Sequence, residues 1–186
     1  MTTQPHTATW LPSLRIRTAT SADLPALEWE GEFSHFRRLY QDVYRSSVKG
    51  EAILWVADLP GSSLIGQLFV QLNSARPELA DGHTRAYIYG FRVRPFYRDK
   101  GVGTRLLQVA ESNLIHRGFL YAVLNVNQEN SSARRLYERL GYRIVASEAG
   151  RWSYLDQFGH LQRVNEPAWR MEKLLKNPSD VKDSLD

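Results

Sequence analysis

Leu14-Arg15-Ile16-Arg17 alternates apolar and charged positions, the two-residue period of a half-buried strand. Ser21 then precedes Asp23, Leu24 and Leu27, a capped helix start. Phe33, Phe36, Leu39, Tyr40, Val43 and Tyr44 recur at helical spacing and predict a second, amphipathic helix. The link between the two is Glu28-Trp29-Glu30-Gly31-Glu32. Ile53 to Ala57 and Leu64 to Leu72 read as strands joined by a hairpin turn at Pro60-Gly61-Ser62-Ser63. A polar loop follows over 73–84, then a strand from Ala86 to Val93 that Pro95 ends. Gly103 to His116 puts Leu106, Leu107, Ala110 and Leu114 on one helical face. Phe119 to Val126 is apolar on both faces, as in a central strand covered twice. Ala133, Leu136, Tyr137 and Leu140 line a short helix that stops at Gly141. Tyr142 to Ala146 and Trp152 to Leu155 are expected to form a strand pair, with a turn at Asp156-Gln157-Phe158-Gly159. Ala168 to Leu174 closes the chain as a strand. This order predicts one α/β domain over 14–175, a mixed sheet with helices on both faces. Residues 1–13 and 176–186 are expected to be a loose arm and a solvated tail.

Composition narrows the chemistry. The 186 residues suit one domain with a real core. There is no cysteine, which excludes a disulfide scaffold, a thiolate metal site and a catalytic thiol. The histidines (His6, His35, His83, His116, His160) show no paired ligand spacing, so no metal is expected. The longest clean apolar run, Phe119 to Leu124, is far short of a membrane span, and Met1 to Trp10 lacks the pattern of a secretory signal. The chain is therefore expected in the cytoplasm. The net charge is +4.

Where that charge lies changes the picture. Arg92, Arg94, Arg98, Lys100 and Arg105 lie close together against a single acid, Asp99. The segment Val93 to Thr104 runs from strand through loop into helix, with glycines at 101 and 103 that admit close backbone approach. The helix N-terminus points its positive end at the same place. These features describe a phosphate cradle. The triphosphatase loop requires Gly-Lys-Ser/Thr, which Gly103-Thr104-Arg105 does not supply, and the dinucleotide fingerprint requires a third glycine where Leu106 stands. A turn with a solvated basic face is the bland alternative.

Arg98-x-x-Gly101-x-Gly103 after a strand resembles the acyl-CoA signature of the GNAT superfamily of N-acetyltransferases. Asn130-x-x-Ala133-x-x-Leu136-Tyr137-x-x-Leu140-Gly141-Tyr142 resembles its other motif, in order and at the expected distance. The resemblance extends over about 14–175 and implies a mostly antiparallel central sheet of the acyl-CoA N-acyltransferase fold. It implies acetyl-CoA as co-substrate, with the pyrophosphate on the backbone of Arg98, Asp99, Lys100, Gly101, Val102, Gly103 and Thr104. It also implies pantetheine contacts at Val93, Asn130 and Ala133, an oxyanion-binding N–H at Phe91, and Tyr137 as proton donor to the leaving thiolate. Tyr137 could instead be core, and Asn130 could simply cap its helix. Arg134 and Arg135 could touch the 3′-phosphate or be solvated.

The resemblance breaks at the general base. Tyr87-Ile88-Tyr89-Gly90-Phe91-Arg92-Val93 carries no acid where many members have one, and Asn125 stands where others often carry Glu. Glu30 or Glu32, beside Trp29 and Phe33, is the expected replacement as base or relay. The expected function is acetyl transfer to a primary amine by direct attack in a ternary complex. The alternative is a non-catalytic acyl-CoA-binding sensor. The amine, a small molecule or a peptide, is left open; a homodimer is allowed, and no membrane or nucleic-acid partner is expected.

Overall fold

The computed structural model describes residues 9–175. The expected tail 176–186, and residues 1–8 of the expected arm, lie outside them. Apolar and aromatic runs supply β1 (Arg15–Thr18), β2 (Ala52–Asp58), β3 (Gly66–Gln71), β4 (Arg85–Val93) and β5 (Tyr121–Asn127). After these come β6 (Arg143–Glu148), β7 (Arg151–Leu155), β8 (Leu161–Asn165) and β9 (Ala168–Leu174). The α-helices are α1 (Arg37–Val48), α2 (Val102–His116) and α3 (Ser131–Arg139). The main sheet has seven strands in the order β1-β2-β3-β4-β5-β9-β6. Only β4 and β5 pair in parallel, joined through α2, so the sheet is mixed and mostly antiparallel.

Strand alternation splits the core in two. On one face Leu68, Val70, Ala86, Ile88, Ala122 and Leu124 pack with α2 and Tyr137 of α3. On the other, Leu54, Val56 and Phe69 pack with Leu27 and with Tyr40 and Val43 of α1.

Four expectations need correction. The first helix is a 3₁₀ helix, Ser21–Glu28; Pro25 inside it supplies no N–H for an α-helical ladder. The second helix starts at Arg37, not Phe33. Trp29, Glu30 and Gly31 are left-handed (φ 46, 58 and 100°) and reverse the chain, and Ser34–Phe36 is a 3₁₀ turn. The predicted pairing of Tyr142–Ala146 with Trp152–Leu155 does not form: β6 pairs with β9, while β7 pairs with the unpredicted β8 in a separate two-stranded sheet. Finally, Leu11–Ser13 of the supposed arm is a 3₁₀ turn. Trp10 meets Tyr97 edge-on at 5.2 Å, and Arg105 donates to the Leu11 carbonyl at 2.7 Å.

Candidate active site

β4 and β5 part company in mid-sheet. Their pairing ends at Ile88 with Leu124, yet β4 continues to Val93 and β5 to Asn127. Residues 89–93 therefore offer their backbone to β3 on one side only. A bulge sits in the same place: Gln67 faces Arg92 and Phe69 faces Tyr89, so two residues of β4, Gly90 and Phe91, stand opposite Leu68. Gly90 has φ +57, and a Cβ there would lie 2.5 Å from the Phe69 ring. Only glycine fits. The extra residue resets the alternation: Phe91 and Val93 pack toward α2, and Arg92 turns toward α1.

Beyond Val93, Pro95–Tyr97 forms a 3₁₀ turn, and left-handed Asp99 (φ 57) and Gly101 (φ 88) bend the chain into α2. Among the described residues, the N–H groups from Asp99 to Thr104 meet no backbone acceptor; Arg105 is the first that does, bonding Gly101 at 3.0 Å. Consecutive unbonded N–H groups at a helix N-terminus form an anion site. Gly103 leaves room for Phe91, whose ring would lie 3.1 Å from an added Cβ.

The basic cluster is divided by the structure. Arg98, Lys100 and Arg105 stay at the loop, where Arg98 Nε donates to the Val93 carbonyl at 2.9 Å and Lys100 sits over the Phe96 ring at 4.1 Å. Arg92 and Arg94 go to the opposite face and leave the phosphate site.

α3 carries the second motif. Asn130 Oδ1 accepts the Ala133 N–H at 3.0 Å and caps the helix, leaving its amide NH₂ to donate elsewhere. Tyr137 is buried and lies 6.2 Å from Phe91, ring centre to ring centre. Phe91, Gly103 and Tyr137 thus lie together at the start of α2. Burial pushes the Tyr137 hydroxyl above its ordinary range, and nearby Tyr87 adds to the shift.

The α1 face holds groups that the motifs did not mark. Tyr87 and Tyr89 stack at 5.5 Å and 4°. Burial pushes Tyr87 up to about 12, with Asn125 against its hydroxyl. Asn125 Oδ1 is buried without a hydrogen-bond partner at the point where β4 and β5 diverge. Gln67 is fully buried, and its Nε2 donates to the Gly90 carbonyl at 3.3 Å. Arg92 donates to Tyr40 Oη at 2.8 Å and lies 4.0 Å over Phe33 and 4.9 Å over Phe36. β7 closes this region, with Tyr154 at 4.8 Å and Trp152 at 6.2 Å from Phe36. The alternation of β4 carries the signal for Tyr87 and Tyr89, but Arg92 became legible only with the bulge.

The acidic cluster is mostly engaged. Glu28 holds Arg37 with two bonds, 2.7 and 2.8 Å. Glu30 gives both oxygens to Arg94, at 2.7 and 2.9 Å, and this partner holds its carboxyl below the usual range. A carboxylate so held is the weaker base of the two candidates. Glu32 is exposed and forms no ion pair among the described residues.

Known proteins match this architecture. Chains with the same fold include Ard1 from Thermoplasma volcanium (TM-score 0.68, 20% identity, covering 89% of this chain and 99% of that one). Another is Arabidopsis thaliana NAA60 in complex with acetyl-CoA (TM-score 0.65, 20% identity, covering 88% and 99%). In sequence, the chain is 29% identical over 103 residues to the chloroplastic GCN5-related N-acetyltransferase 6 of Arabidopsis thaliana. That stretch is 55% of this chain and 33% of the relative, so the match spans about a third of the relative's length. The model of the acetyltransferase (GNAT) family matches residues 19–142, which hold the bulged β4, the glycine loop, the start of α2 and all of α3. The chain belongs to the GNAT acetyltransferase family.

Proposed function

We propose that the chain is an acetyl-CoA-dependent N-acetyltransferase acting on a primary amine by direct attack within a ternary complex. The observation that carries this reading is the run of free N–H groups from Asp99 to Thr104, set beside the one-sided edge of β4. Backbone from Asp99 to Thr104 holds the pyrophosphate, the expected Arg98 N–H being taken by the Pro95 carbonyl at 3.2 Å; Val93 extends the sheet onto the pantetheine arm, and Asn130 and Ala133 border that arm. Acetyl-CoA supplies the acetyl group as a thioester. The Phe91 N–H steadies charge on the carbonyl oxygen. The amine's N–C bond forms, the C–S bond breaks, and Tyr137 gives its proton to the sulfur. The proton released by the amine goes to solvent, and Tyr137 is reprotonated in turn.

Acetyl-CoA at 100 times its Kd should stabilise the fold by about 2.7 kcal/mol. The test combines a melting curve with and without acetyl-CoA and an amine panel scored by thiol release. A melting temperature unmoved by millimolar acetyl-CoA overturns the reading. A shift with no thiol release from any amine replaces it with the sensor.

A further inference from the structure

Arg92 is a half-buried cation that forms no ion pair among the described residues. Its neighbours are otherwise balanced: Arg37 is matched by Glu28 and Arg94 by Glu30. Among the described residues only a neutral phenol, Tyr40, bonds the Arg92 side chain, and two ring faces cover it. Tyr40 is nearly fully buried, and burial pushes its hydroxyl above the ordinary range, so it stays neutral and supplies no counter-charge. A guanidinium lifted from water keeps donors that phenol and rings do not satisfy, and its planar fork matches a carboxylate. The bulge at Gly90 places this fork one residue from Phe91 and on the face opposite α2, away from the phosphate loop. Phe33, Phe36, Trp152 and Tyr154 then form an aromatic wall around it.

Resting on the N-acetyltransferase reading, we propose that Arg92 selects the acceptor, and that the acceptor is an amine bearing a carboxylate beside an aromatic or apolar body. The carboxylate meets the Arg92 fork, the body lies on the Phe33–Phe36–Trp152–Tyr154 wall, and the amine reaches toward Phe91. Tyr40 is a positioning residue that fixes the fork. A competing feature lies further along α1, a cavity of about 290 Å³ lined by Asp42, Glu51, Asn73 and Tyr89. Its acids would favour a polycation instead.

The test compares matched amines by kcat/KM from thiol release: phenylalanine with its amide, 4-aminobenzoate with 4-aminobenzamide, and 1,4-diaminobutane as polycation. The carboxylate member of at least one pair should lead. Arg92→Met should lower the acid-to-amide ratio about 10–100-fold, the range for a charge-assisted hydrogen bond. Arg92→Lys should recover part of that ratio, and Tyr40→Phe should lower it less. A melting shift with acetyl-CoA checks that each variant is folded. Preference for the amides or for 1,4-diaminobutane, or a ratio unmoved by Arg92→Met, overturns the inference and leaves the N-acetyltransferase reading standing. Absence of turnover with every amine, despite acetyl-CoA binding, overturns both.

Discussion

Tyr137→Phe removes one oxygen from a buried ring and keeps its packing on Phe91 and on Tyr142, 5.9 Å away. If that oxygen delivers the proton to the sulfur, kcat should fall about 10²–10⁴-fold under conditions where chemistry limits the rate. The melting temperature and acetyl-CoA affinity should barely move. An unchanged kcat returns Tyr137 to the core. Because burial raises this hydroxyl above the ordinary phenol value of about 10, the donor stays protonated at neutral pH. The rate of the native enzyme should therefore climb with pH as more amine loses its proton, with no falling limb from Tyr137 below about pH 10. Residue types in register made Tyr137, Asn130 and the glycines legible in the sequence. The charges misled: five basic side chains close in sequence look like one patch, but a single bulge sends Arg92 and Arg94 to the other face, where Arg94 claims Glu30.

Strand β4 depends on one glycine for its shape. Gly90→Ala introduces a side chain at φ +57 and drives its Cβ to 2.5 Å from Phe69. Strain and overpacking together should cost about 2–5 kcal/mol. Variants that still fold should lose the melting shift with acetyl-CoA, because Phe91 and Val93 leave their register. An undiminished shift would show that the bulge does not set the acyl site. The β7–β8 hairpin is a different kind of element. It is inserted between Glu148 and Ala168, which are themselves register partners in β6 and β9. Replacing 149–167 with a short turn should leave the main sheet and the acetyl-CoA shift intact, while acceptor KM rises, measured by thiol release at saturating acetyl-CoA. An unaltered KM would remove the hairpin from the acceptor wall. Helices α2 and α3 and the central strands were legible from period alone. In the hairpin, β7 and the turn at Asp156 to Gly159 were legible but β8 was not, because exposed Leu161 and its neighbours bury little and leave only a weak alternation, and the pairing of β6 with β9 is a long-range choice.

Taken whole, the molecule holds several buried or half-buried phenols on the two faces of its sheet. Tyr87 is raised to about 12, and burial lifts Tyr89, Tyr137 and Tyr142 above the ordinary value as well. Above pH about 10 the unfolded chain releases these protons while the folded one keeps them. The folded state then binds more protons, so stability declines as pH rises further and is fully present below that point. Melting curves taken toward pH 12 should show tyrosinate absorbance appearing with unfolding; tyrosinate appearing in a still-folded chain would show the hydroxyls to be open to water. The sheet's other peculiarity bears on the company this protein keeps. Most sheets place their unclaimed ladder positions at the outside, where charge or a covering loop guards them. Here residues 89–93 put them in the middle, where β4 and β5 no longer pair. One extended chain laid along these residues would complete the β4 ladder by backbone hydrogen bonds alone. A thioester arm filling that place, as proposed above, would also keep stray peptide strands from pairing there.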